Sequence, residues 1–198
     1  MKTKPVILAT AFIAASSLAY AQETGDISVG VGVTNLGLAL QGEYAINPQT
    51  SARAMIMGGF NIDDEFEADD GTVDGEASFG GFAVVADYYP LSNPWRISGG
   101  LFISNIDISG TVESGGEIFE ASLELENSVA PMITTGFKAD VAEGWAISGD
   151  LGVIISSFEA SSDDTLDADE QAELDDINSA LGDIPVFPFI GFAVSYSY

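Results

Sequence analysis

The sequence contains no cysteine and no histidine. The first absence removes disulfides, thiol nucleophiles and a lipid-modified cysteine. The second removes the commonest general base and metal ligand. A serine nucleophile would have to rely on Lys138, the only lysine after Lys4. The acids are scattered and hold no fixed pair of the kind that glycoside chemistry needs, so the chain reads as a non-enzyme. Basic residues are scarce: five Lys and Arg stand against 31 Asp and Glu, a formal charge of −26. Such a surface repels phosphate, which disfavours nucleic acid and anionic membrane surfaces as partners. No cofactor motif is present, since "GVGVTNLG" (30–37) lacks the dinucleotide-loop spacing and reads as strand. After residue 21 no run of ~20 apolar residues occurs, so no transmembrane helix is predicted.

What is there is apolar: 46% of the residues are hydrophobic despite the charge, so apolar and acidic residues must be segregated. Residues 1–21, "MKTKPVILATAFIAASSLAYA", have lysines in front, an apolar middle and a small-x-small end. That is the order of a cleaved secretory signal peptide, with Gln22 as the mature N-terminus and one domain over 22–198.

Period-two alternation runs through the domain. "ISVGVGVT" (27–34) sets Ile27, Val29, Val31 and Val33 on one face; "WRISGGLFIS" (95–104) and "WAISGDLGVIIS" (145–156) repeat the scheme. Eight strands are predicted, at about 27–34, 36–46, 50–61, 77–89, 95–108, 119–139, 145–158 and 186–198. After a tight turn near Asn35, short turns ("NPQT", "PLSNP", "AEG") alternate with long acidic segments at 61–76, 110–126 and 159–185. Short turns on one side and long loops on the other are the layout of an eight-stranded antiparallel transmembrane β-barrel of the outer membrane, an all-β fold with periplasmic turns and extracellular loops.

Aromatics sort the same way. Every Tyr and Trp after residue 21 falls at the short-turn end of its strand, which predicts a periplasmic girdle of Tyr44, Tyr88, Trp95, Trp145, Tyr196 and Tyr198, with Tyr89 beside it. The last segment, "VFPFIGFAVSYSY" (186–198), alternates Ile190, Phe192, Val194, Tyr196 and Tyr198 outward. It must pair with the first strand, because an open edge in lipid leaves backbone groups unsatisfied. Its terminal aromatic resembles the C-terminal signal recognised by the outer-membrane barrel assembly machinery, although most such signals end in Phe.

The same counting places Arg53, Arg96 and Lys138 inside, with Glu43, Asp87 and Asp150 at similar depth. A small barrel's interior is just wide enough for side chains to fill. A desolvated charge is costly unless paired, so a salt-bridged plug is expected, with a selectivity ring as the competing reading. The long segments carry 23 of the 31 acids and no Lys or Arg, which suits a solvated acidic surface. Divalent cations are possible partners there. In "DDTLDADEQAELDD" (163–176), Asp163, Asp164, Asp167 and Asp169 are hard oxygen ligands of the kind Ca²⁺ takes, without EF-hand spacing. Leu174, Ile177 and Leu181 instead favour a short amphipathic helix from Leu166 to Leu181, with Gly182 as its C-cap, lying over the barrel mouth.

Four segments resemble a poorly characterised family of Gram-negative outer-membrane proteins related to the OmpW-like barrels: "DYYPLSNPWRISGGLFISN" (87–105), "SVAPMITTGF" (128–137), "GWAISGDLGV" (144–153) and "ADEQAELDDINSALGDIPVFPFIGFAVSY" (168–196). The resemblance covers roughly 36–198 and implies a barrel in the outer membrane, without assigned activity or site residues. The expected function is that of a monomeric integral barrel with a charge-plugged lumen and a structural or surface-interaction role, embedded among outer-membrane lipids. The alternative is a narrow, porin-like channel or a lateral-release path for small hydrophobic molecules, as the resemblance suggests.

Overall fold

The computed structural model describes residues 23–68, 71–91, 93–114, 117–161, 168–182 and 185–198. In chain order the elements are β1 (Ile27–Thr34), β2 (Gly37–Asn47), β3 (Thr50–Ala68), β4 (Gly71–Tyr88), β5 (Trp95–Ser104), β6 (Asp107–Ser114), β7 (Glu117–Leu125), β8 (Val129–Ala142), β9 (Trp145–Ile154), β10 (Phe158–Ser161), helix α1 (Ala168–Gly182) and β11 (Phe187–Ser197).

Eight of these strands close a ring in the order β1, β2, β3, β4, β5, β8, β9, β11 and back to β1. All neighbours are antiparallel, and closure is made by seven residue pairs from Ser28↔Ser197 to Thr34↔Gly191. β6, β7 and β10 are continuations of barrel strands beyond short kinks. Backbone bonds bridge those kinks: Ser104 N–H donates to Ser128 O at 2.8 Å, Glu126 N–H to Ser157 O at 3.0 Å and Ile155 N–H to Pro131 O at 2.8 Å. The turn between β8 and β9 needs Gly144, whose φ of +73° is left-handed; a Cβ there would also meet the Tyr196 ring at 2.7 Å.

The acidic segments 61–76 and 110–126, expected as loops, are mostly strand. β3 and β4 stay paired from Thr50↔Tyr88 out to Ala68↔Gly71, and β6 pairs β7 from Asp107↔Glu124 to Ser114↔Glu117. With β10 they build a five-stranded sheet, β3-β4-β6-β7-β10, standing above the barrel on its long-loop side. Alternation failed to reveal it because backbone pairing does not require an apolar face, and runs such as "DDEFEADD" (63–70) erase the period-two pattern. A register shift between Met57 and Phe60 marks where the barrel ends and this sheet begins.

Two asparagines finish exposed ladder edges. β1 stops at Thr34 while β11 runs on; there Asn35 donates from its N–H to Ile190 O (3.1 Å) and from Nδ2 to Pro188 O (2.8 Å), and its Oδ1 accepts from Ile190 N–H (3.0 Å). On β10, Asn178 of α1 accepts from Ala160 N–H at 2.7 Å and donates to Ala160 O at 3.0 Å. An unpaired edge invites pairing with another chain, and an amide side chain that satisfies both backbone groups blocks it. The helix expected from Leu166 to Leu181 is seen as α1 from Ala168, Leu166 lying outside the described residues and Gly182 being its last residue; it packs against β10, where a seat over the barrel mouth was expected, and Ile177 of its apolar stripe is exposed.

The barrel is inverted relative to a water-soluble one. Val29, Val31, Val33, Leu38, Leu40, Ile56, Val84, Leu101, Ile133, Leu151 and Phe192 are exposed on the outer face, while Glu43, Arg53, Asp87, Arg96, Lys138 and Asp150 are buried within.

Candidate functional site: the barrel interior

Alternation along each strand decides which side chains enter the lumen. On β3 it brings in Ser51, Arg53, Met55 and Met57; on β5, Arg96, Ser98 and Phe102; on β9, Ser148, Asp150 and Ile154. The side chains fall into two layers.

The layer at the short-turn end is ionic. Asp150 reaches from β9 to both arginines, accepting from Arg53 Nη1 at 2.8 Å and Arg96 Nη2 at 2.8 Å through Oδ2. Asp87, on β4, takes a two-pronged bond from Arg53: Nε to Oδ2 at 2.8 Å and Nη2 to Oδ1 at 2.9 Å. Arg96 Nη1 lies 3.7 Å from the same Oδ2 and donates to the Tyr89 hydroxyl at 3.3 Å. A second cluster is built around Glu43: Lys138 Nζ donates to Oε2 at 2.9 Å and to Ser28 Oγ at 3.2 Å, while Ser51 Oγ donates to Oε1 at 2.9 Å. All six residues singled out by parity thus have an ionic partner, and all are buried. Two-pronged guanidinium–carboxylate contacts are the strong form of such bonds and fix geometry as well as charge.

Above it lies an apolar layer that sequence reasoning missed. Leu36, Met55, Met57, Phe102, Met132, Ile154 and Phe189 form one buried cluster with Ala39, Ala83, Val85 and Ala130; Phe79, Ile108 and Phe158 pack against it from the sheet above, and Phe187 from the start of β11. Met55 joins the layers, its sulfur 3.5 Å from Arg53 Nη1. The signal was available: carrying the inward parity of Arg53, Arg96 and Lys138 outward along the same strands reaches Met55, Phe102 and Met132.

Of the aromatic girdle, Tyr44, Tyr88, Trp95, Trp145 and Tyr198 are exposed on the outer face. Tyr196 is half-buried, edge-on between Trp145 (5.2 Å) and Tyr198 (5.1 Å). Tyr89 departs from the expectation. It follows the last residue of β4, keeps the inward parity of Asp87, and is fully buried against Arg96. The signal peptide (1–21) and Asp163, Asp164 and Asp167 lie outside the described residues; the backbone of Asp169 belongs to α1. Among the described residues no cluster of carboxylates is arranged to hold a metal ion.

Fold and interior together define a class: a closed eight-stranded antiparallel barrel, apolar outside, with paired charges and an apolar cluster inside. Solved structures of similar shape are those of Acinetobacter baumannii CarO2, 17% identical over 87% of this chain and 98% of that one at a TM-score of 0.60, and Acinetobacter baumannii CarO, 15% identical over 88% and 98% at 0.57. Identities this low establish a shared fold. No family model and no curated protein matches the chain, so the OmpW-like resemblance rests on its motifs alone.

Proposed function

We propose that the protein is an integral barrel of the outer membrane of a Gram-negative bacterium, carried through the inner membrane by its leader, closed to solutes, and working as a structural or surface-interaction component rather than as an enzyme. The observation that carries this reading is the inversion of the barrel. A water-soluble protein rarely exposes contiguous apolar patches beyond a few hundred Å², whereas here each of the eight barrel strands exposes Val, Leu, Ile or Phe on its outer face. In a bilayer that belt faces hydrocarbon, and the ring of Tyr and Trp at one end meets the interface.

The interior supports closure against the channel reading. A conducting lumen needs charges free to meet water and ions, but Arg53 and Arg96 are held by two carboxylates each, and the apolar layer crosses the path above them. The acidic sheet and α1 on the long-loop side then remain as the surface through which the protein meets its surroundings. Conductance across a planar bilayer tests this, after a heat-dependent gel shift has shown that the barrel is formed. Silence is expected; discrete, salt-dependent steps would turn the six inward charges into a selectivity ring.

A further inference from the structure

Where one strand outruns its neighbour it leaves a bare ladder edge. Asn35 closes that of β11 and Asn178 that of β10. The outer end of β3 is left open. β2 stops pairing with it at Leu38↔Gly58, while on its other side β3 stays paired with β4 out to Ala68↔Gly71. Among the described residues no strand takes the place of β2 along 60–68. A Cβ on Gly59 would meet nothing within 4 Å, and Phe60 and Asn61 are exposed, so the edge begins in open solvent. At ~3.3 Å per residue the stretch is between roughly 25 and 30 Å long, more than the ~17–20 Å of an ordinary strand. In an antiparallel ladder alternate residues turn N–H and C=O away from the paired neighbour, so this edge offers a row of backbone donors and acceptors to a newcomer.

Charge narrows the choice of newcomer. Asp63, Glu65 and Glu67 share one parity, and Asp64 lies between them with Ile62, Phe66 and Ala68 on the other. Register sets Asp63 opposite Glu76 and Glu65 opposite Asp74, so the strand next to this edge adds acids instead of balancing them. The chain has no base to spare. Beyond residue 21 its only ones are Arg53, Arg96 and Lys138, all buried in the lumen on their own carboxylates. Like charges directly opposite destabilise a strand pair, and unlike charges stabilise it. A second copy laid along this edge would set acid against acid. A strand with Lys or Arg at every second position would meet the acidic row with its bases.

We propose that the outer end of β3 takes up an extended, basic segment of another protein as an additional strand. Main-chain hydrogen bonds supply the affinity in such strand addition, and here the alternating bases supply the choice of partner. This rests on the surface-interaction reading and deepens it, naming the surface and the chemistry of what it meets.

The test uses two fluorescent eight-residue peptides of equal charge, alternating Lys–Thr and alternating Lys–Pro, titrated by anisotropy against the folded protein in neutral detergent micelles. Proline has no N–H to give to a ladder. The Lys–Thr peptide is expected to bind about tenfold more tightly or better, and to slow amide hydrogen exchange in residues 60–68. Asp63→Lys with Glu65→Lys should remove both effects. Those changes stand opposite Glu76 and Asp74, which favours the β3–β4 pairing, and the heat-dependent gel shift checks that the barrel is kept. Asp107→Lys with Glu159→Lys makes the same change of net charge on β6 and β10 and should leave binding within about twofold. If the β3 variant does not fold, the comparison of the two peptides on the native protein decides. Equal binding of the two peptides, or equal loss in the two variants, would overturn the strand site and reduce the surface to a diffuse attractor of cations. Binding of neither peptide, or protection only outside residues 60–68, would overturn it as well. A dimer in which residues 60–68 are protected before any peptide is added would overturn it in favour of a second copy. All of these leave the closed barrel standing, whereas discrete conductance steps would bring down the reading on which the strand site rests.

Discussion

Replacing Asp150 by Ala removes the one carboxylate shared by Arg53 and Arg96. Asp87 is then left to balance two guanidiniums, one of them 3.7 Å away and poorly aligned. The stripped cluster carries a net positive charge in a space where Arg53, Arg96 and Asp87 are all but inaccessible to water. Taking one partner from a buried ion pair costs roughly 3–5 kcal/mol. Because Asp150 accepts at 2.8 Å from each arginine, the loss should reach the middle of that range or above. About 4 kcal/mol is close to a thousandfold in the folding equilibrium, at ~1.4 kcal/mol per tenfold. Urea unfolding of vesicle-embedded protein reads it through the fluorescence of Trp95 and Trp145, the only two tryptophans, alongside the heat-dependent gel shift. Asp150→Asn, which keeps one acceptor and loses the charge, should fall between Asp150→Ala and the wild type. The double variant Arg96→Met with Asp150→Leu should be more stable than Asp150→Ala alone, since an apolar pair strands less charge. A loss below ~1 kcal/mol for Asp150→Ala, the size measured for exposed pairs, would refute the reasoning and mean that water reaches the cluster.

Two further outcomes test other parts of the fold. Phe102→Ala empties a fully buried ring position in the apolar layer and should cost about 3–5 kcal/mol in the same urea assay, without creating conductance so long as the ionic layer below it is intact. Asn178→Ala removes both bonds between α1 and Ala160, roughly 1 kcal/mol each, and should raise amide hydrogen exchange in β10 and α1 while leaving the barrel's gel shift unchanged.

How much of this was legible beforehand depends on what each residue answers to. Strands with one face in the core and one outside alternate strictly, so β1, β5 and β9 could be drawn from parity, as could the inward side of Arg53, Arg96 and Asp150. Parity says which side a residue is on and nothing about which partner it meets across the lumen; that Asp150 bridges β3 and β5 follows from barrel diameter and strand stagger. The hairpins beyond the barrel were invisible because their order is carried by backbone pairing under an acidic sequence. Tyr89 was misplaced because the sorting of aromatics to one end was read as sorting to one face. Asn35 and Asn178 gave no signal, since an amide that completes a ladder looks in sequence like any turn or helix asparagine.

The ion pairs also bear on how the chain assembles. Lys138 on β8 meets Glu43 on β2, 95 residues away, and Asp150 on β9 meets Arg53 on β3, 97 residues away. Until the later strands come round, the cluster of Arg53, Asp87 and Arg96 carries one positive charge too many and Glu43 has no counterion. Contacts so distant in sequence form late, after loop-closure entropy has been overcome. A sheet stalled before β8 is therefore electrically unfinished as well as open-edged, and the final ring closure is the step that neutralises its inside.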